Sequence, residues 1–160
     1  MVFSRILVTV PSNAGADLIT EQLASTCLFK PGDFVRLNGF LRADLTVPET
    51  IADFCVDGTH LDSVAKHRLI ICTVATAGQF FQLNLNTGHF SHVFIDEAGY
   101  CTEPEALIPS VLAAISKEAV VSCSATMTMI YSVCADQGFC VIKLTFITFY
   151  RWFLQEIHSS

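Results

Sequence analysis

Residues 92–97 read His-Val-Phe-Ile-Asp-Glu, an apolar run that ends in two adjacent carboxylates. Ala98 and Gly99 complete the tetrad Asp-Glu-Ala-Gly. A buried strand that ends in Asp-Glu suits nucleotide hydrolysis, because open α/β sheets place their ligands at the carboxyl ends of their strands. Asp96 could hold Mg²⁺ through water, and Glu97 could orient or deprotonate an attacking water. The same pattern also suits a core strand that stops where two acids meet solvent.

Other chemistries find less support. His89 and His92 lie three apart, but no carboxylate or cysteine nearby completes a metal site, so both read as turn or packing residues. No Gly-x-Ser-x-Gly elbow points to a serine hydrolase. Seven cysteines stand at 27, 55, 72, 101, 123, 134 and 140, with no Cys-x-x-Cys pair. Their odd number and apolar settings read as buried free thiols in a reducing compartment.

The elements that must position the two acids are legible as alternating strands and helices. Arg5 to Val10 is rich in β-branched residues and reads as a buried strand. Ser12 or Asn13 can cap a helix over Ala14 to Ser25 that buries Leu18, Ile19 and Leu23. Pro31-Gly32-Asp33 predicts a turn before a strand at Phe34 to Leu37. Short helices are expected over Pro48 to Phe54, Leu61 to His67 and Ala75 to Leu83. A strand is expected at Leu69 to Val74 and a turn at Asn84 to His89. After the Asp-Glu strand come a helix near Pro104 to Ile115 and a strand beginning near Glu118 to Ser122. Such alternation implies an α/β fold with a mostly parallel sheet.

At 160 residues the chain suits one domain with a sizeable core. It is 52% hydrophobic and 15% charged, with a net charge of −6, so its overall field does not favour nucleic acid. Any RNA contact must come from local hydrogen-bonding or basic groups. The apolar stretch Ile6 to Val10 is too short for a signal-peptide core, and a cytoplasmic chain is the default expectation. Residues 123–160 differ in character: four charged residues follow Val121, and Phe139 to Leu154 is nearly continuously apolar. That run is shorter than a membrane span requires, so membrane insertion is not expected.

Three segments carry a resemblance when taken in order. They are Thr9-Val10-Pro11-Ser12-Asn13-Ala14-Gly15-Ala16-Asp17, Ile71-Cys72-Thr73-Val74-Ala75-Thr76-Ala77-Gly78, and Val93 to Gly99 continuing through Glu103-Pro104-Glu105. Together they resemble the first motor domain of superfamily 1 RNA helicases of the Upf-one-like group, and within it the Mov-ten branch. Val47-Pro48-Glu49 and Gly88-His89-Phe90-Ser91-His92 are similar to that branch as well. The likeness covers about residues 4–122, which would form a partial RecA-like P-loop NTPase domain, with 123–160 as a divergent apolar tail.

The resemblance implies roles. Pro11, Ser12 and Asn13 match a loop that touches the sugar-phosphate backbone of single-stranded RNA, a role that a helix N-terminus with free N–H groups can serve. An ordinary helix cap needs the same residues. Thr73, Thr76 and Gly78 match a second backbone-contacting loop, and also suit a strand-to-helix turn. Asp96 and Glu97 match the Walker B pair, with Asp96 toward Mg²⁺ and ATP and Glu97 toward the attacking water. The family further implies ATP-driven movement on RNA, partners in RNA silencing or decay, and a cytoplasmic setting that includes ribonucleoprotein granules.

Two family features are missing from these residues. No Gly-x-x-x-x-Gly-Lys-Ser/Thr loop occurs, nor does the Gly-Asp-x-x-Gln-Leu that follows the Asp-Glu motif in the family. Val120-Val121-Ser122-Cys123-Ser124 stands where the latter would be. Ser124-Ala125-Thr126 imitates a superfamily 2 triplet, but falls where the likeness fades. The chain is therefore expected to be inactive alone as an ATPase. The alternative reading is a non-catalytic module that binds protein partners.

Overall fold

The computed structural model describes residues 5–40, 42, 47–85, 89–114, 120–123, 132–134 and 138–140. The expected strand near the start forms as β1, Ile6–Val10, and every one of its side chains is buried. Burial of a continuous Ile-Leu-Val-Thr-Val run is what a strand covered on both faces requires. β1 pairs in parallel with β4 (Leu69–Thr73) on one side and with β5 (His92–Ile95) on the other. β2 (Val35–Leu37) joins β4, and the two-residue β3 (Cys55–Val56) joins β2. β6 (Val120–Cys123) pairs with β5. The six-stranded sheet runs β3-β2-β4-β1-β5-β6, and all its pairings are parallel. β7 (Ser132–Cys134) and β8 (Gly138–Cys140) pair antiparallel in a separate two-stranded sheet.

Alternate residues of the strands feed two cores. Ile6, Val8, Val10, Phe34, Leu69 and Ile71 pack with helix α1 (Asn13–Ser25). Leu7, Val35, Leu37, Ile70, Val93 and Ile95 belong to the opposite core. That core also takes Val74 and Ala77 of α3 (Val74–Ala77) and Leu112 of α4 (Glu103–Ala114). The result is a sheet with helices on both faces, the arrangement expected of an α/β fold.

Several expectations need correction. α1 buries Ala16, Ile19, Thr20 and Leu23, while Leu18 is 55% exposed. Residues 16, 19, 20 and 23 form one stripe at helical spacing, and Leu18 lies off it. The stretch at Leu61 to His67 shortens to α2, Leu61–Val64, preceded by a 3₁₀ turn at Gly58–His60. The helix after β4 changes to 3₁₀ geometry at Gly78–Gln82, and Glu49–Phe54 is wholly 3₁₀. The Asp-Glu strand ends at Ile95, so both acids lie beyond it. Of the four described free cysteines only Cys72 is buried; Cys55 and Cys101 are half-buried, and Cys27 is exposed. Gly32 holds φ +101° in the expected turn before β2.

Residues 86–88 of the Asn84 to His89 turn lie outside the described residues, as do Ile115, Glu118, the Ser124-Ala125-Thr126 triplet and residues 141–154 of the apolar run. Among the described residues no helix is long and apolar enough to cross a membrane.

Two measurements check this packing. Leu7→Ala empties a fully buried site and is expected to cost about 2–5 kcal/mol in urea unfolding, whereas Leu18→Ala changes stability by less than about 0.5 kcal/mol. Burial pushes the Cys72 thiol up to about 12, so a thiol reagent at pH 8 should label Cys27 in the native protein and Cys72 only after denaturation.

Candidate functional site

Parallel pairing sends the carboxyl ends of all six sheet strands to one edge. Val10, the last residue of β1, lies in register with Thr73, the last of β4. Thr9 lies in register with Ile95, the last of β5. The loops that begin at Pro11, Val74 and Asp96 therefore emerge side by side, with the first in the middle. Adjacent strands lie about 4.8 Å apart, so the outer two loops begin about 10 Å from each other. The sheet thus brings the residues singled out in the sequence to one edge.

The Asp-Glu turn is fixed by backbone contacts. The Asp96 N–H donates to the Thr9 carbonyl at 2.8 Å, and the Thr9 hydroxyl donates to the Phe94 carbonyl at 3.0 Å. Asp96 Oδ1 accepts from the Glu97 N–H at 3.1 Å. Glu97 adopts φ 54° and ψ 35°, a left-handed conformation that costs a non-glycine residue about 1–2 kcal/mol. The chain turns there at once, which keeps both half-buried carboxylates at the strand ends. Such strain at a non-glycine residue is concentrated at functional sites.

Asp96 suits a water-mediated Mg²⁺ contact in position and chemistry. The described residues nevertheless contain no group of three metal-ligating side chains, and the sequence has no phosphate-cradling loop. The donor set present is thus incomplete for the metal–nucleotide pair.

The other two loops differ in what they leave available. Ser12 caps α1: its Oγ accepts from the Gly15 N–H at 3.0 Å. Ser12 and Asn13 are exposed and Pro11 is half-buried. Thr73 caps α3, accepting from the Thr76 N–H at 3.2 Å, and the Thr73 and Thr76 hydroxyls bond each other at 2.7 Å. Both threonines are buried, and a Cβ on Gly39 would stand 3.2 Å from Thr76 Oγ1. This pair therefore shapes its loop from within. Ala75 is the exposed residue there, and Gly78 is half-buried.

A cluster that the sequence reading missed lies beside the Pro11 loop. Arg36, in the middle of β2, is fully buried. Its Nε donates to Asp17 Oδ1 at 3.2 Å, one Nη to the Leu37 carbonyl, and the other to Asn13 Oδ1 at 2.9 Å. Arg42 donates to both Asp17 oxygens, at 2.8 and 2.6 Å, and to Asn38 Oδ1 at 3.0 Å. Burial pulls the Arg36 guanidinium below its ordinary value and Asp17 opposes that pull; hydrogen bonding to Asp17 raises Arg42. A groove of 680 Å³ opens next to this cluster, past the ends of β2 and β3, with Asn38, Phe40, Arg42 and Asp57 in its walls. A signal was present in the sequence: a charge inside the apolar run Phe34-Val35-Arg36-Leu37 needs a buried partner.

Comparison with known proteins adds an independent line. Residues 58–121 match the family described as AAA domain. Mouse RNA helicase Mov10l1 is 43% identical over 106 residues, which are 66% of this chain and 9% of the mouse protein. Human RNA helicase Mov10l1 is 42% identical over the same shares. The Drosophila melanogaster protein named "Probable RNA helicase armi" is 38% identical over 142 residues, covering 74% of this chain and 12% of the fly protein. The chain thus spans only a small part of the relatives it matches.

The left-handed turn at Glu97 can be tested by stability alone. Glu97→Gly is expected to leave stability unchanged or raise it by up to about 1 kcal/mol, and Glu97→Val to lower it by about 1–2 kcal/mol. Equal stability of the two variants in urea unfolding would contradict the observed geometry.

Proposed function

The chain belongs to the Mov-ten branch of the Upf-one-like superfamily 1 RNA helicases, and from that premise we propose that it is the RNA-gripping and Walker B part of a first motor domain. The observation that carries this reading is the common edge. Two loops matched to RNA-backbone contacts and an Asp-Glu pair leave three neighbouring parallel strands together. A ligand held across the first two loops would lie within about 10 Å of the acids, close enough for RNA binding and nucleotide hydrolysis to share one structural element.

In this proposal Pro11, Ser12 and Asn13 meet the RNA backbone through the exposed first turn of α1, where the dipole favours phosphate and the Gly15 N–H is already taken by the Ser12 cap. The loop of Thr73, Thr76 and Gly78 contributes through its backbone, since the two hydroxyls are engaged with each other. Were the missing phosphate-cradling loop supplied, Asp96 would be the residue to hold Mg²⁺ through water and Glu97 the one to orient a water. The chemistry such an ion would supply is neutralisation of charge on the phosphates. The relatives' names, RNA helicase Mov10l1 and armi, support RNA as the polymer. A cytoplasmic role in RNA silencing or decay, within ribonucleoprotein granules, belongs to the same proposal.

These 160 residues contain no Gly-x-x-x-x-Gly-Lys-Ser/Thr, so nothing in them holds the β- and γ-phosphates for in-line attack. Hydrolysis by the chain alone is not expected. The purified chain should bind a single-stranded oligouridine in fluorescence anisotropy, weakening as salt rises. It should show no RNA-stimulated ATPase activity. An RNA-stimulated activity abolished by Glu97→Gln would refute the inactive-fragment reading, and absence of oligouridine binding at low salt would refute the RNA-gripping one.

A further inference from the structure

Arg36 has no evident reason to be in the core. A fully buried guanidinium is costly, and an apolar residue of similar volume would fill β2 with less penalty. Its hydrogen bonds suggest what it does. Asp17 takes its Nε and the Leu37 carbonyl takes one Nη. The remaining Nη reaches Asn13 Oδ1, in the first turn of α1, at 2.9 Å.

Arginine has N–H donors and no acceptor. Asn13 must therefore present its carbonyl oxygen to Arg36, because the reverse orientation would set two donors against each other. The carboxamide NH₂ is then the end left for solvent on this exposed residue. An unrestrained asparagine could offer either end to a ligand. Here the buried cation removes that choice, so the side chain offers donors only at the N-terminal turn of α1.

We propose that Arg36 is a positioning residue that holds the Asn13 carboxamide with its NH₂ outward, making this turn selective for phosphate oxygens of single-stranded RNA. Asp17 supports the arrangement from below, with its second oxygen bound by Arg42. The inference rests on the RNA-gripping reading above and adds to it a residue that touches no RNA.

The test uses the full chain and a fluorescent oligouridine, with melting temperature measured in parallel. Asn13→Asp keeps an oxygen toward Arg36 and replaces the outward NH₂ by a second carboxylate oxygen. It should melt at or above the wild-type temperature and bind about tenfold or more weakly. Asn13→Ala should melt lower than Asn13→Asp. Arg36→Met should weaken binding in the wild-type background and add nothing in the Asn13→Ala background. Should Arg36→Met fail to fold, Asn13→Asp still decides the matter. If the wild type binds and Asn13→Asp binds equally well, the positioning role is wrong while the RNA-gripping reading stands. If Asn13→Asp melts below Asn13→Ala, the Arg36 contact is not as described and the proposal is overturned. If the wild type does not bind, both readings fall together.

Discussion

The structure depends on one five-residue strand. β1 is hydrogen-bonded in parallel on both sides, to β4 and to β5, and among the described residues no other strand links the two halves of the sheet. Its residues are buried on both faces, alternating between the core under α1 and the core under α3 and α4. Parallel pairing gives every strand of this sheet the same direction. It follows that the loops after β1, β4 and β5 share one edge, and that register sets their relative heights. The Asp96 N–H to Thr9 carbonyl bond extends this ladder one residue beyond β5, tying the Asp-Glu turn to the strand that leads into the Pro11 loop.

A second constraint is the buried charge at Arg36. Placed on the α1 side of the sheet, it needs a carboxylate, and Asp17 of α1 supplies it. α1 is therefore fixed to the sheet both by its apolar stripe and by this ion pair. Asp17 is also shared with Arg42, so the helix, β2 and the segment after it meet at one carboxylate. Breaking a buried pair by removing one partner costs more than the pair contributes, because an uncompensated charge remains. The first turn of α1 is thus held by the same cluster that anchors the helix.

Much of this was legible in the sequence, for identifiable reasons. β1 and β4 are dense in β-branched residues and bounded by turn or cap residues, so their positions were clear. Ser12 was recognisable as a cap from its side chain and place. Leu18 is apolar yet exposed because its angle around the helix lies off the buried stripe, where the less hydrophobic Ala16 and Thr20 stand. The two-residue β3 left no signal, since its pairing depends only on β2 lying beside it. The left-handed backbone at Glu97 was also hidden, because glutamate does not advertise that conformation. The Arg36 cluster joins residues 19 and 25 positions apart, a relation that periodicity cannot reveal.

The most direct test of the central claim is native-state hydrogen exchange of the full chain with and without single-stranded oligouridine. The account predicts strong protection of Ile6–Val10 and Leu69–Thr73 in both states. Added RNA should protect further the amides near Ser12 to Gly15 and Val74 to Gly78, and leave Leu61–Val64 unchanged. RNA-dependent protection that misses both loops, or appears only away from the carboxyl edge of the sheet, would contradict it.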